Sequence, residues 1–165
     1  MVAVERRFPR SRHAGIADAV IARASAEPEI TARPRRTLLR ALRHGRLVVA
    51  FEGAELVGWF LSEPCGPGVH ELGFIFVAPT ARGDAVLLDL LDAAIAIEPR
   101  AVAVTFNPSF ARWLIRSRGF RRVSLVRVTR VSRGWFLARR LAPGRLSIAL
   151  RRTTAGEAWY LVRDA

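Results

Sequence analysis

The chain has 165 residues, about half of them apolar (51%), which is enough for one domain with its own core, and no apolar run reaches the ~20 residues of a membrane span. Cys65 is the only cysteine, so a disulfide framework and a cysteine-rich zinc site are excluded, and His13, His44 and His70 are too scattered to give a metal-ligand spacing. The net charge is +13 and every basic residue is an arginine, with neither lysine nor glutamine present, which keeps a polyanionic partner in view.

The basic start, residues 1–12, is not followed by an apolar stretch, so a secretory signal is not expected and a cytoplasmic protein without a membrane partner is. Residues 2–8 suit a short strand. Ser11 is a candidate N-cap for a helix whose apolar positions are Ile16, Ala17, Val20, Ile21 and Ala24. Pro34 suits the start of a second helix running to Arg43, with Leu38, Leu39 and Leu42 on its inner face and Gly45 beyond its end. Residues 47–51 and 56–61 then form a hairpin, 63–68 a loop, and 69–77 a longer strand that Pro79 stops. A helix is predicted over 84–97, a buried strand over 101–106 and a helix over 108–118 that starts with proline and ends at Gly119. The Val-rich run 120–131 reads as a long strand, and 146–150 and 158–162 read as two more, joined by a turn at 153–156. The order β-α-α-β-β-β-α-β-α-β with a C-terminal strand extension predicts an α/β fold on a mixed sheet, because the strand–helix–strand crossover needs parallel strands.

Three stretches carry a family resemblance. The strand Glu71-Leu72-Gly73-Phe74-Ile75-Phe76-Val77-Ala78-Pro79 is one, and Arg82-Gly83-Asp84-Ala85-Val86-Leu87 opening a leucine-rich helix is the second. The third is Asn107, Ala111 and the pair Gly119-Phe120 around the next helix. In this order and near this spacing they resemble the GNAT superfamily of N-acetyltransferases over residues 46–131, with 142–165 as an added C-terminal hairpin on a single domain, 1–165. The resemblance implies an acyltransferase that uses acetyl-coenzyme A or another acyl-CoA; the alternative is a catalytically weak or inactive module of the same fold that binds nucleic acid, or acylation of an amine carried on RNA. It implies that the amides from Gly83 to Leu87 (Gly83, Asp84, Ala85, Val86, Leu87) cradle the pyrophosphate, aided by Arg82. It further implies that the strand edge at Phe76 and Val77 pairs with the pantetheine arm, and that Asn107 bonds the cofactor. A helix N-terminus suits such a group physically, since its first amides lack partners and its dipole end is positive.

The chain departs from the pattern in two places. Counted from Pro79, Ala85 and Leu87 stand where glycine and Gly/Ala are usual; a register two residues shorter puts Gly83 and Ala85 there, with Thr80 in place of the arginine. The tyrosine that many members carry four residues before Gly-Phe is Ile115, and the only tyrosine of the chain is Tyr160.

Acyl transfer needs a neutral amine, so Glu71 is the candidate general base, against the alternative of a strand glutamate paired with an arginine. His70 points to the opposite strand face and reads as a surface histidine. Asn107 could equally cap the helix after it. Trp113 reads as core, and Arg112 and Arg116 as solvated surface. Cys65 has no activating partner near it in sequence. Arg36, Arg40 and Arg43 form one stripe on the second helix, either a solvated face or a contact for RNA. The C-terminal strands could complete the sheet, cover an edge or join a homodimer. The acceptor itself, an amine, is not identified.

Overall fold

The computed structural model describes residues 1–27, 30, 32–81, 84–98, 100–141 and 158–164. Seven strands and six α-helices occur among them. They fall into two compact units, Met1–Glu63 with Gly73–Ile97, and Pro64–Leu72 with Glu98–Ala165.

In the first unit the strand order is β1 (Val2–Glu5), β2 (Leu47–Glu52), β3 (Glu55–Pro64) and the later part of β4 (His70–Val77). β1 pairs antiparallel with β2 (Val2↔Glu52), and β2 with β3 (Leu47↔Leu61). Helix α1 (Arg10–Ser25) buries His13, Ile16, Ala17, Val20 and Ala24, the i, i+3, i+4, i+7 spacing of one helical face. It begins at Arg10 after Pro9, without a side-chain cap, and not at Ser11. Proline fixes φ near the value needed there and has no N–H to satisfy. Helix α2 (Arg35–Arg43) buries Leu38, Ala41 and Leu42. Helix α3 (Asp84–Ile95) buries Leu90 and Leu91, each worth roughly 1.5–3 kcal/mol of burial. Gly58 of β3 favours its close seat on the sheet: a Cβ there would lie 3.0 Å from the Phe76 carbonyl oxygen and 3.1 Å from Leu90 Cδ1, tighter than an ordinary contact.

The second unit has the order β4, β5 (Ala101–Thr105), β7 (Trp159–Arg163) and β6 (Arg121–Val123). β4 and β5 are parallel, with His70↔Ala101, Glu71↔Val102 and Leu72↔Ala103 in register. β7 is antiparallel to both neighbours. The mixed sheet is thus as expected, and the terminal strand completes it, both edges taken. The candidate strand 146–150 and its turn lie outside the described residues.

One element differs in kind. The run expected as a single strand over 120–131 holds only three strand residues, β6, and then helix α5 (Leu125–Val131), followed after a turn by α6 (Trp135–Leu141). Ser124 caps α5, its side chain accepting the Arg127 N–H. Val128, Ser132 and Phe136 lie four apart and are fully buried. Val128 and Phe136 pack in one cluster with Cys65, Val69, Val102 and Val162. Burial at helical spacing overrides the strand preference of valine.

Candidate active site

The first candidate region is β4 and the segment after it. Phe74 has φ 50°, a left-handed backbone at a residue with a bulky side chain, held by packing on Trp59 (centroids 5.6 Å apart) and by Arg33 over its ring at 5.0 Å. Phe76 is buried, stacked on Trp59 at 4.6 Å, with the Arg23 guanidinium 5.1 Å from its ring centroid. Its side chain is therefore packing. Trp59 is itself fully buried, and its Nε1 has no hydrogen-bond partner. A short 3-10 turn, Pro79–Ala81, leads from the strand towards α3. Arg82 and Gly83 lie outside the described residues, as does the side chain of Asp84. Of the remaining first-turn residues, Ala85 is exposed, Val86 is buried and Leu87 is half-buried.

The second region is Glu71, in the part of β4 that belongs to the second unit. Its Oε1 accepts from Arg140 Nη2 at 2.8 Å, and its Oε2 lies 3.6 Å from Arg139 Nη1. Oε2 is buried and makes no hydrogen bond. Both arginines come from α6, and Arg139 also donates to the Pro64 carbonyl at 2.9 Å. The carboxylate expected as a base is thus also an ion-pair partner. Cys65 lies within the electrostatic reach of this group. Burial, with the Glu71 carboxylate adding to it, pushes its thiol up to about 11 against the opposing pull of Arg139 and Arg140. A thiol so disfavoured as thiolate is an inert core residue.

His70 is not at the surface. It is buried, and its Nδ1 lies 2.5 Å from Oε2 of buried Glu98. The opposite face of this strand is interior too, which explains the difference. Asn107 is exposed and caps helix α4 (Pro108–Arg118), its Oδ1 accepting from Ser109 N (3.0 Å) and Phe110 N (3.1 Å). Gly119 ends the helix with φ 70°. Trp113 is half-buried, not core; it stacks on Phe110 at 5.9 Å and lies under Arg118 at 4.8 Å. Arg112 and Arg116 are exposed, as expected. Tyr160 lies in β7, its ring edge-on to Phe136 at 6.1 Å.

On α2, Arg36, Arg40 and Arg43 are exposed and make no ion pair with a described residue. Arg35 beside them is different: its hydrogen bond at 2.6 Å holds the Asp18 carboxyl below its usual range. Among the described residues no group of three or more metal-ligating side chains occurs, and no helix is long and apolar enough to cross a membrane.

Sequence reasoning missed Arg139 and Arg140 because they lie near 70 positions from Glu71. It also missed Glu98, which closes the helix in the chain but pairs across the unit with His70. No local signal marks either contact.

No protein-family model matches the chain, and no curated protein matches it. Solved structures do. Rv2747 of Mycobacterium tuberculosis, solved in complex with coenzyme A, is 18% identical with a TM-score of 0.60, over 99% of both chains. The N-acetylglutamate synthase of Neisseria gonorrhoeae, solved with coenzyme A and N-acetyl-glutamate, is 18% identical with a TM-score of 0.56 over 99% of this chain. This chain spans only about a third of that synthase (35%). An acetyltransferase of the GNAT family from Staphylococcus aureus Mu50 is 15% identical with a TM-score of 0.53, over 77% of this chain and 88% of its own. At such identities the likeness is one of fold.

Proposed function

We propose that this chain, built on the fold of the GNAT acetyltransferases, is an N-acyltransferase that moves an acetyl or related acyl group from acyl-coenzyme A to an amine. The observation that carries the reading is the passage from the kinked strand β4 through a 3-10 turn to the N-terminus of the twelve-residue helix α3. The first-turn amides of α3 have no acceptor within the helix, and Ala85 sets only a methyl beside them. They fit a pyrophosphate, so Gly83, Asp84, Ala85, Val86 and Leu87 are assigned to it through their backbone, with Arg82 as an added cation. The main chain at Phe76 and Val77 is assigned to the pantetheine amides, paired as an added strand would be. Asn107 spends its carbonyl on the α4 cap, so its amide NH₂ is what it offers a cofactor.

When bound, the thioester supplies an activated acyl carbon. The residues of the chain orient it and take a proton from the attacking amine. Glu71 is the assigned base. Arg140 donates to Oε1, and Oε2, which lies 3.6 Å from Arg139 but accepts no hydrogen bond among the described residues, is the oxygen assigned to take the proton, directly or through water. Ile115 offers no acid, and none is required for a thiolate of ordinary acidity.

Replacing Glu71 by Gln preserves shape and removes the base. Turnover, followed as thiol release from acetyl-coenzyme A over a panel of amino acids, polyamines and peptide N-termini, is expected to fall ~10²–10⁴-fold, with cofactor affinity nearly unchanged. An unchanged rate at every pH assigns Glu71 to structure. A second reading concerns the carrier of the amine: the unpaired stripe Arg36, Arg40 and Arg43 favours an acceptor attached to RNA. A homodimer through the C-terminal strands would have to use residues 142–157, outside the described residues, since both edges of β7 are taken.

A further inference from the structure

Large apolar side chains that stand exposed are confined to one place. Apart from Met1, those among the described residues are Leu125, Val126, Trp135, Leu137 and Leu141, all on α5 and α6. Val126 is 68% exposed, Leu141 58% and Trp135 57%. This is not the unavoidable scatter of surface apolar atoms, because the same two short helices also have an apolar inner face, Val128 and Phe136, already buried in the core of their unit. The pair is apolar on both sides, and among the described residues only the inner side is covered.

The charge around this outer face is one-sided. Residues 119–141 hold seven arginines and no acidic residue. Arg139 and Arg140 turn inward to Glu71, and Arg121 pairs with Asp164. Arg127, Arg130 and Arg133 are exposed and make no ion pair with a described residue. The exposed surface is therefore cationic and apolar at once. Beside Leu125 an open cleft of about 610 Å³, lined by Arg122, Val123, Ser124, Leu125, Ala158 and Tyr160, extends it.

We propose that the outer face of α5–α6 docks on the surface of an anionic lipid bilayer, with Val126, Trp135 and Leu141 entering the boundary between headgroups and acyl chains and Arg127, Arg130 and Arg133 meeting the lipid phosphates. Charge complementarity selects an anionic occupant, and a second copy of the chain would set arginine against arginine. The protruding side chains select a fluid one. Val126, Trp135 and Leu141 stand out singly from two-turn helices, outside the cleft beside Leu125, so they need a medium that closes around them. Tryptophan and arginine with aliphatic side chains is the composition that suits such an interface. This is attachment to a surface and is compatible with the absence of any membrane-spanning helix among the described residues.

The test is co-sedimentation of the full chain with vesicles of phosphatidylcholine alone, or with about a third phosphatidylglycerol. Each exposed arginine contributes roughly fivefold near an anionic surface, so the anionic vesicles are expected to bind at least ~30-fold more strongly, and less so as salt rises. Replacing Val126, Trp135 and Leu141 together by serine is expected to weaken binding ~10-fold or more. These side chains are exposed, so the fold should persist, which far-UV circular dichroism checks. The charge control, Arg36, Arg40 and Arg43 of α2 replaced by glutamine, is expected to cost no more than about threefold. Brominated lipid should quench tryptophan fluorescence in the native protein and fail to do so in Trp135→Phe. No excess binding to anionic vesicles overturns the proposal and leaves the face to an acidic protein. A serine triple that binds like the native protein, with the glutamine triple weakened, also overturns it, reducing the effect to net charge. A dimer that the serine triple dissociates, without vesicle binding, gives the face to a second copy.

Discussion

Asn107 separates two roles that one residue can be asked to play. Its Oδ1 accepts from Ser109 N at 3.0 Å and Phe110 N at 3.1 Å, while its amide NH₂ is the group left for a ligand. Removing the side chain in Asn107→Ala deletes both capping bonds. A neutral hydrogen bond nets about 1 kcal/mol, but Asn107 is exposed, so water replaces part of the loss. The expected cost is then about 1 kcal/mol, within the 0.5–2 kcal/mol range of N-cap removals, or roughly 2–4 °C in Tm for a chain of this size. Asn107→Asp keeps an oxygen for both amides and adds a charge that the N-terminal end of the helix dipole favours, so stability should stay within a few tenths of a kcal/mol. It replaces the NH₂ by an anion. If Asn107 also bonds the cofactor, the Asp variant loses affinity for acetyl-coenzyme A while remaining stable. Urea denaturation and calorimetric titration of the three proteins read the two effects separately. An Asp variant as destabilised as the Ala variant would refute the capping geometry, and an Asp variant with native affinity would remove Asn107 from the cofactor site.

Two further expectations follow from particular groups. Burial raises the Cys65 thiol to about 11, so the folded state keeps its proton longer than the unfolded chain does. Its contribution is fully present below the unfolded thiol range, near 8.5–9, and is lost as pH rises through about 11, a fall of roughly 2–3 kcal/mol in unfolding free energy that Cys65→Ala should abolish. Native protein should likewise resist iodoacetamide at pH 8 and react on unfolding; rapid native labelling would contradict the burial. If α2 meets an RNA backbone, replacing Arg36, Arg40 and Arg43 by glutamine should flatten the salt dependence of filter binding by up to about 2–3 units in slope, and a slope no different from that of an equal-charge replacement of Arg127, Arg130 and Arg133 would leave the stripe without a special role.

The parts of the fold legible in the sequence are those governed by local chemistry. Pro108 and Gly119 bracket α4, and Asn107 caps it as its residue type suggests. Apolar spacing reveals α1, α2 and α3, and the crossover logic gives the parallel pair β4–β5. What failed was decided at a distance. The run Leu125–Val131 is rich in β-branched residues that favour a strand, and the burial of Val128 and Phe136 in the second unit makes the helix win. Ser124 before that run and Gly134 after it were the local signals for a helix and a stop. Around the candidate site, the strand holding Phe76 and the helix start at Asp84 were readable. The pairs Glu71 with Arg139 and Arg140, and His70 with Glu98, were not, because an ion pair has no sequence period.

The central claim is that this chain holds an acyl-coenzyme A. Calorimetric titration of the full chain with acetyl-coenzyme A, paired with a thermal-shift series, tests it most directly, since a ligand bound only by the native state must raise the melting temperature. The account predicts saturable one-to-one binding and, near a hundredfold excess over Kd, about 2.7 kcal/mol of added stability, on the order of 5–10 °C. Absence of heat and of any shift at millimolar acetyl-coenzyme A would contradict it.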